Sequence, residues 1–87
     1  MGSKTYDGVW FAAFSHDHEP PHVHGAYTET VVIVDLLSDG TTAKSKRRDA
    51  VQPGDAKRSV VKRILDVAAE HAVELKELWE KTHGTTA

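Results

Sequence analysis

Eighty-seven residues with a formal net charge of −2 give one small domain, spanning 1–87, that buries only somewhat more than ~60% of its unfolded surface. The absence of cysteine excludes disulfides and cysteine-based zinc knots as staples. No apolar run approaches the ~20 residues of a membrane helix and the start, MGSKTYDGVW, lacks the segments of a signal peptide, so a cytoplasmic protein without a membrane association is expected.

Met1–Ser3 is set aside as residues that a cloning vector could supply, and the strands are expected within 8–45. Val9–Phe14 is a short apolar and aromatic run suited to a buried strand. His22–Tyr27 restarts as a strand, and Glu29–Leu37, rich in β-branched residues, is the strongest β signal in the chain. Ser38-Asp39-Gly40 then turns the chain, and Thr41–Lys44 returns as a polar edge strand. Ser45–Gln52 is polar and basic. Pro53-Gly54-Asp55 breaks the chain and offers Asp55 as a helix N-cap.

A helix is predicted over 55–82. Val61, Leu65, Ala68, Ala72, Leu75 and Trp79 form its apolar stripe, Val60, Ile64 and Leu78 widen it, and Gly84 is placed to stop it. At ~1.5 Å per residue it spans ~42 Å, too long for so small a sheet to cover. Either it breaks near Glu70-His71-Ala72 or its distal part packs on another chain, a second copy or a partner. The expected fold is α+β: a small antiparallel sheet of 3–4 strands followed by a long C-terminal amphipathic helix, continuous or kinked into two. Trp10 and Trp79 are both expected in the core.

Charge is segregated. Residues 1–43 carry one basic and six acidic groups, residues 44–63 eight basic and two acidic, and residues 64–87 two basic and five acidic. The middle block offers Arg47, Arg48, Lys57, Arg58 and Lys62 to an anionic partner, protein or RNA, or pairs internally with its acidic flanks.

The segment SHDHEPPHVH puts His16, His18, His22 and His24 around a Pro-Pro pair. Pro20 and Pro21 fix φ and push Glu19 out of the helical region, so the loop is preorganised. Three uses stand open. His18, His22 and His24, completed by Asp17 or His16, are candidate ligands for zinc or nickel. His18, His22, His24 and His71 are candidate acid–base groups; beside Arg47, Arg48, Lys57 and Arg58 they supply what metal-free RNA cleavage requires. The histidines could instead hydrogen-bond the loop to the helix through His71. No cysteine or serine is set up for a nucleophilic triad, and no glycine-rich phosphate loop is present.

The run Phe14-Ser15-x-Asp17-His18-x-Pro20-Pro21-His22-Val23-His24, followed by two strands and a helix with His71 eight positions before Trp79, resembles the small bacterial family DUF4160. The resemblance covers roughly Gly8 to Trp79. It implies an α+β fold, bacterial or phage origin, no established activity, and genes often paired with another small protein in a toxin–antitoxin-like arrangement. The family's recurrent positions fall on Asp17, His18, Pro20, Pro21, His22, His24 and His71; His16 departs from the pattern.

The first expectation is therefore a non-enzymatic interaction protein, binding a partner through the helix stripe or the basic block as a toxin–antitoxin-like component or an inhibitor of a defence system. An RNA-cleaving toxin that uses the histidines is the alternative, and a metal-binding protein the second.

Overall fold

A computed structural model of the chain describes residues 2–15 and 20–83. Two tight turns organise its first half. Asp7 and Gly8 (φ 49° and 82°) join β1 (Gly2–Tyr6) to β2 (Val9–Ala13), and Thr28 and Glu29 (φ 44° and 63°) join β3 (His22–Tyr27) to β4 (Thr30–Leu36). Positive φ at both central residues is what a type I′ hairpin requires, because its twist matches that of the flanking strands. Registers Tyr6↔Val9 and Tyr27↔Thr30 close the two hairpins.

After β4 comes the Asp39-Gly40 turn. The Asp39 carboxylate accepts from the Thr41 amide at 3.0 Å and the Thr41 hydroxyl at 2.6 Å, and Gly40 takes φ 88°. Those Thr41 bonds, the hydroxyl's first, hold the Asp39 carboxyl below its usual range. β5 (Thr42–Lys44) then returns antiparallel along β4.

β6 (Val51–Gln52) also pairs with β4, on Val31 and Val32, where β5 pairs on Val34 to Leu36. Between these two registers the Ser45 amide donates to the Ile33 carbonyl at 2.9 Å and the Ile33 amide donates to the Ala50 carbonyl at 2.8 Å. β5 and β6 are thus one edge strand from which residues 46–49 loop out opposite a single residue.

The antiparallel sheet runs β1-β2-β3-β4-β5 with β6 on β4, larger than the 3–4 strands expected. β1 and β6 lie outside the span 8–45. β1 takes in Gly2 and Ser3 from the segment set aside and continues through Tyr6, and its signal was the Asp7-Gly8 pair beside Val9. β6 has no sequence signature, because two residues are too few for a periodic pattern.

Strand alternation sorts the two faces of the sheet. Phe11, Gly25 and Val32 align across β2, β3 and β4, as do Ala12, His24 and Ile33 on the other face. The first face carries the helices α1 (Arg58–Glu70) and α2 (Ala72–Thr82). A Cβ added at Gly25 would lie 2.7 Å from Ile64 Cγ2 and 2.9 Å from a Phe11 ring carbon, so this glycine permits the close approach of α1. Gly2 lies against Leu78 and Thr82 of α2 in the same way.

The predicted helix is two. His71 leaves helical geometry (φ −114°, ψ 28°), its amide donating to the carbonyls of Val67 and Ala68, while Leu75 donates to the His71 carbonyl to begin α2. Neither glycine nor proline sits at the break. The His71 ring stacks on Tyr6 at 3.9 Å and 9°, anchoring the bend to the sheet. With the bend, Ile64, Val67, Ala68, Leu75, Leu78 and Trp79 are all buried in one core, so the exposed stripe expected of an unbroken helix is absent.

Lys57, not Asp55, is the N-cap of α1. Its backbone is extended and makes no side-chain cap, because the first turn starts two residues later than expected. Gly84 lies outside the described residues. Trp79 is a core residue, whereas Trp10 is 38% exposed because its place in the alternation of β2 is on the face opposite the helices.

Two stability outcomes follow. Gly25→Ala should destabilise the fold by about 1–3 kcal/mol through overpacking against Ile64 and Phe11, read by urea unfolding. Thr28→Asn should raise stability by ~1 kcal/mol in the same assay, since a β-branched residue at φ 44° is strained where asparagine is tolerated.

Candidate functional site

His16, Asp17 and His18 lie outside the described residues, so of the loop's candidate ligands only His22 and His24 are placed. These two stand on one face of β3, with ring centroids 5.5 Å apart at 61°. Phe14 meets the His24 ring edge-on at 5.1 Å, and the Trp79 indole comes within 5.4 Å of His22 and stacks on His83 at 3.6 Å. The result is a chain of rings at the end of the sheet where β3 begins.

His22 is 5% exposed, and its Nδ1 lies 2.9 Å from the Pro20 carbonyl. A carbonyl only accepts, so Nδ1 carries the proton and donates, which makes Nε2 the acceptor nitrogen of the neutral ring. The Pro-Pro corner thereby sets the tautomer of the histidine that follows it.

His71 does not join this group. Tyr6, on which it stacks, closes the β1–β2 hairpin in line with Tyr27, whereas His22 opens β3 five residues earlier. At ~3.3 Å per residue roughly 16 Å of strand separates the two levels. His71 Nδ1 instead meets Glu74 at 3.4 Å, and hydrogen bonding, from the Glu74 backbone and then from His71, holds the Glu74 carboxyl below its usual range. Burial first, then the charges of Glu74 and Glu77, push the Tyr6 phenol up. Asp7, Glu70 and His71 bring one ligand atom each within 4.8 Å, a grouping of a kind common at acidic surfaces.

The candidate site is a recess of about 340 Å³ on the helix-free face. His22, Ile33 and Asp35 form its floor, their side chains sharing a face through the registers His22↔Asp35 and His24↔Ile33. Ser45, Lys46 and Arg47 wall one side and Pro20 the other. Buried Ser45 holds the loop in place, its Oγ accepting from the Arg47 amide at 3.1 Å, and the Ala50 amide donates to the Arg47 carbonyl at 3.2 Å. Sequence reasoning missed Asp35 and Ser45; alternation along β4 placed Asp35 on the histidine face, whereas Lys46 belonged to the basic block and the looping-out of 46–49 that brings it to His22 had no sequence signature.

The remaining basic residues lie outside the recess. Arg48 is exposed on the loop, and Lys57, Arg58 and Lys62 are exposed around the start of α1. Lys62 pairs with Asp66 at 2.6 Å; Arg63 donates to the Asp7 carbonyl and lies over Tyr27. Among the described residues Lys44, Lys46, Arg47, Arg48, Lys57 and Arg58 make no ion pair, so the internal-pairing reading does not hold for them.

The model of a domain of unknown function, DUF4160, matches residues 8–80. The chain belongs to this family. The matched span of the DUF4160 domain takes in β2 to β6, the recess and the helix break, and leaves β1 outside. No curated protein and no solved structure matches the chain.

The tautomer is open to direct measurement. Long-range ¹H–¹⁵N correlation spectra of the neutral His22 ring should show Nδ1 protonated; a proton on Nε2 would contradict the Pro20 contact.

Proposed function

We propose that this DUF4160 protein is a small interaction protein that binds an acidic partner protein, as a toxin–antitoxin-like component or an inhibitor of a defence system does. The contact surface is the basic ground formed by Arg47, Arg48, Lys57, Arg58 and Lys62. One observation carries the reading: six of the eight cations in residues 44–63 are exposed and make neither an ion pair nor a side-chain hydrogen bond among the described residues. Uncompensated like charge works against the compact state, yet it steers an oppositely charged partner and sets its register.

A catalytic alternative has its own support. His22 shares a recess with Lys46 and Arg47, which puts an acid–base group beside cations, the combination that RNA cleavage without a metal uses. His22 with His24 also leaves the zinc or nickel reading as a two-histidine nucleus whose completion depends on the loop.

Co-expression with the product of the adjacent gene tests the proposal. A stoichiometric complex that weakens as salt rises is expected, and the triple variant Arg48→Glu, Lys57→Glu, Arg58→Glu should abolish it with the melting temperature little changed. No complex, or one indifferent to the triple variant, would overturn the reading. RNA cleavage by the isolated protein that disappears in a folded His22→Gln variant would establish the catalytic alternative in its place.

A further inference from the structure

The recess has a composition that neither a protein contact nor a bare anion site explains. It is cationic on one side, through Lys46 and Arg47, and it has apolar surface in Pro20 and Ile33. Its floor nevertheless holds a carboxylate, Asp35, which among the described residues makes no hydrogen bond or ion pair. A site for phosphate alone would gain nothing from that carboxylate, which repels the anion. A contact for an acidic peptide would be opposed by it in the same way.

One ligand class uses all three features. A nucleotide has a flat base that packs on apolar and ring surface, hydroxyls that donate to a carboxylate, and a phosphate that cations hold. The volume of about 340 Å³ is that of a pocket for a single such unit. We propose that the recess binds a nucleotide, with the base against Pro20, Ile33 and the edge of His22, a ribose hydroxyl donating to Asp35, and the phosphate between Lys46 and Arg47.

The positions are fixed before any ligand arrives. Asp35 and Ile33 lie within β4, the central partner of three strands. Lys46 and Arg47 project from a loop tied at both feet to Ile33, and the Ser45 hydroxyl holds the Arg47 backbone. Such preorganisation lowers the ordering cost of binding. The source of the nucleotide, free in solution or the phosphorylated end of an RNA, shares this chemistry.

The test is titration of the ¹⁵N-labelled full chain with AMP, adenosine, inorganic phosphate and a 5′-phosphorylated tetraribonucleotide. Saturable shifts at Ile33, Asp35, Ser45, Lys46 and Arg47 are expected with AMP, and much weaker ones with adenosine or phosphate. Lys46→Ala with Arg47→Ala, exposed loop positions that leave the fold intact, should weaken AMP by about tenfold or more, the equivalent of ~1.4 kcal/mol. Asp35→Asn should weaken AMP while leaving phosphate unchanged or tighter. Equal affinity for AMP and the tetranucleotide identifies free nucleotide as the source; a tighter tetranucleotide identifies an RNA end; both support the site. The proposal is overturned if neither AMP nor the tetranucleotide gives saturable shifts there, if phosphate alone binds as tightly as AMP, or if the double variant binds AMP unchanged. The Arg48, Lys57 and Arg58 reversal tests the partner surface separately, so the two readings fail independently.

Discussion

The backbone of Ile33 is the joint on which the edge of the sheet and the recess beside it depend. Its carbonyl accepts from Ser45 and its amide donates to Ala50, so one residue of β4 closes both ends of an excursion in the edge strand. Buried backbone groups that lose their partner cost free energy comparable to a lost hydrogen bond. Ser45 and Ala50 are therefore buried and fixed, while the residues between them stand out in solvent. A sheet edge, ordinarily a liability for unwanted pairing, is here interrupted and charged, and the same interruption sets cations over the histidine face.

The second joint, at His71, serves the other face. A straight helix of this length would overrun the sheet, and its outer turns would present Leu75, Leu78 and Trp79 to water. Bending at His71 returns them to the core, where full burial of each such side chain contributes roughly 1.5–3 kcal/mol. The bend is held by a ring stack and not by a helix breaker: Tyr6 offers a flat surface at the end of β1 and the imidazole lies on it. The histidine thus has a structural use, apart from the group at the other end of the sheet. Because the bend buries Ile64, Leu75, Leu78 and Trp79, the helix stripe is used in this chain's own core.

The two faces divide the work. The helix-bearing face holds the core, with Phe11, Val23, Val32, Val34 and Ile64 fully enclosed. The opposite face carries His22, His24, Ile33 and Asp35 and the partly exposed Trp10. In a chain of this size the core leaves little to spare, and strand alternation puts these polar groups on the face away from it, at no expense to packing.

Much of this was written in local sequence. The β-branched run 30–36, the Asp39-Gly40 turn and the three-and-four spacing of the helix stripe are patterns in which neighbouring residues alone state the backbone they prefer. The preorganising effect of Pro20 and Pro21 on the histidines that follow is also local, and Pro20 proves to be the partner of His22. The DUF4160 match likewise runs over one continuous span, residues 8–80. The Thr28-Glu29 turn, the break at His71, the pairing of β6 and the looping-out of 46–49 were decided only in three dimensions. Each is a choice against or without local preference, made because burying the stripe and satisfying the backbone of β4 outweigh it. The recess belongs to that second group: His22, Asp35 and Arg47 are dispersed along the chain, and only the register of three strands brings them to one place.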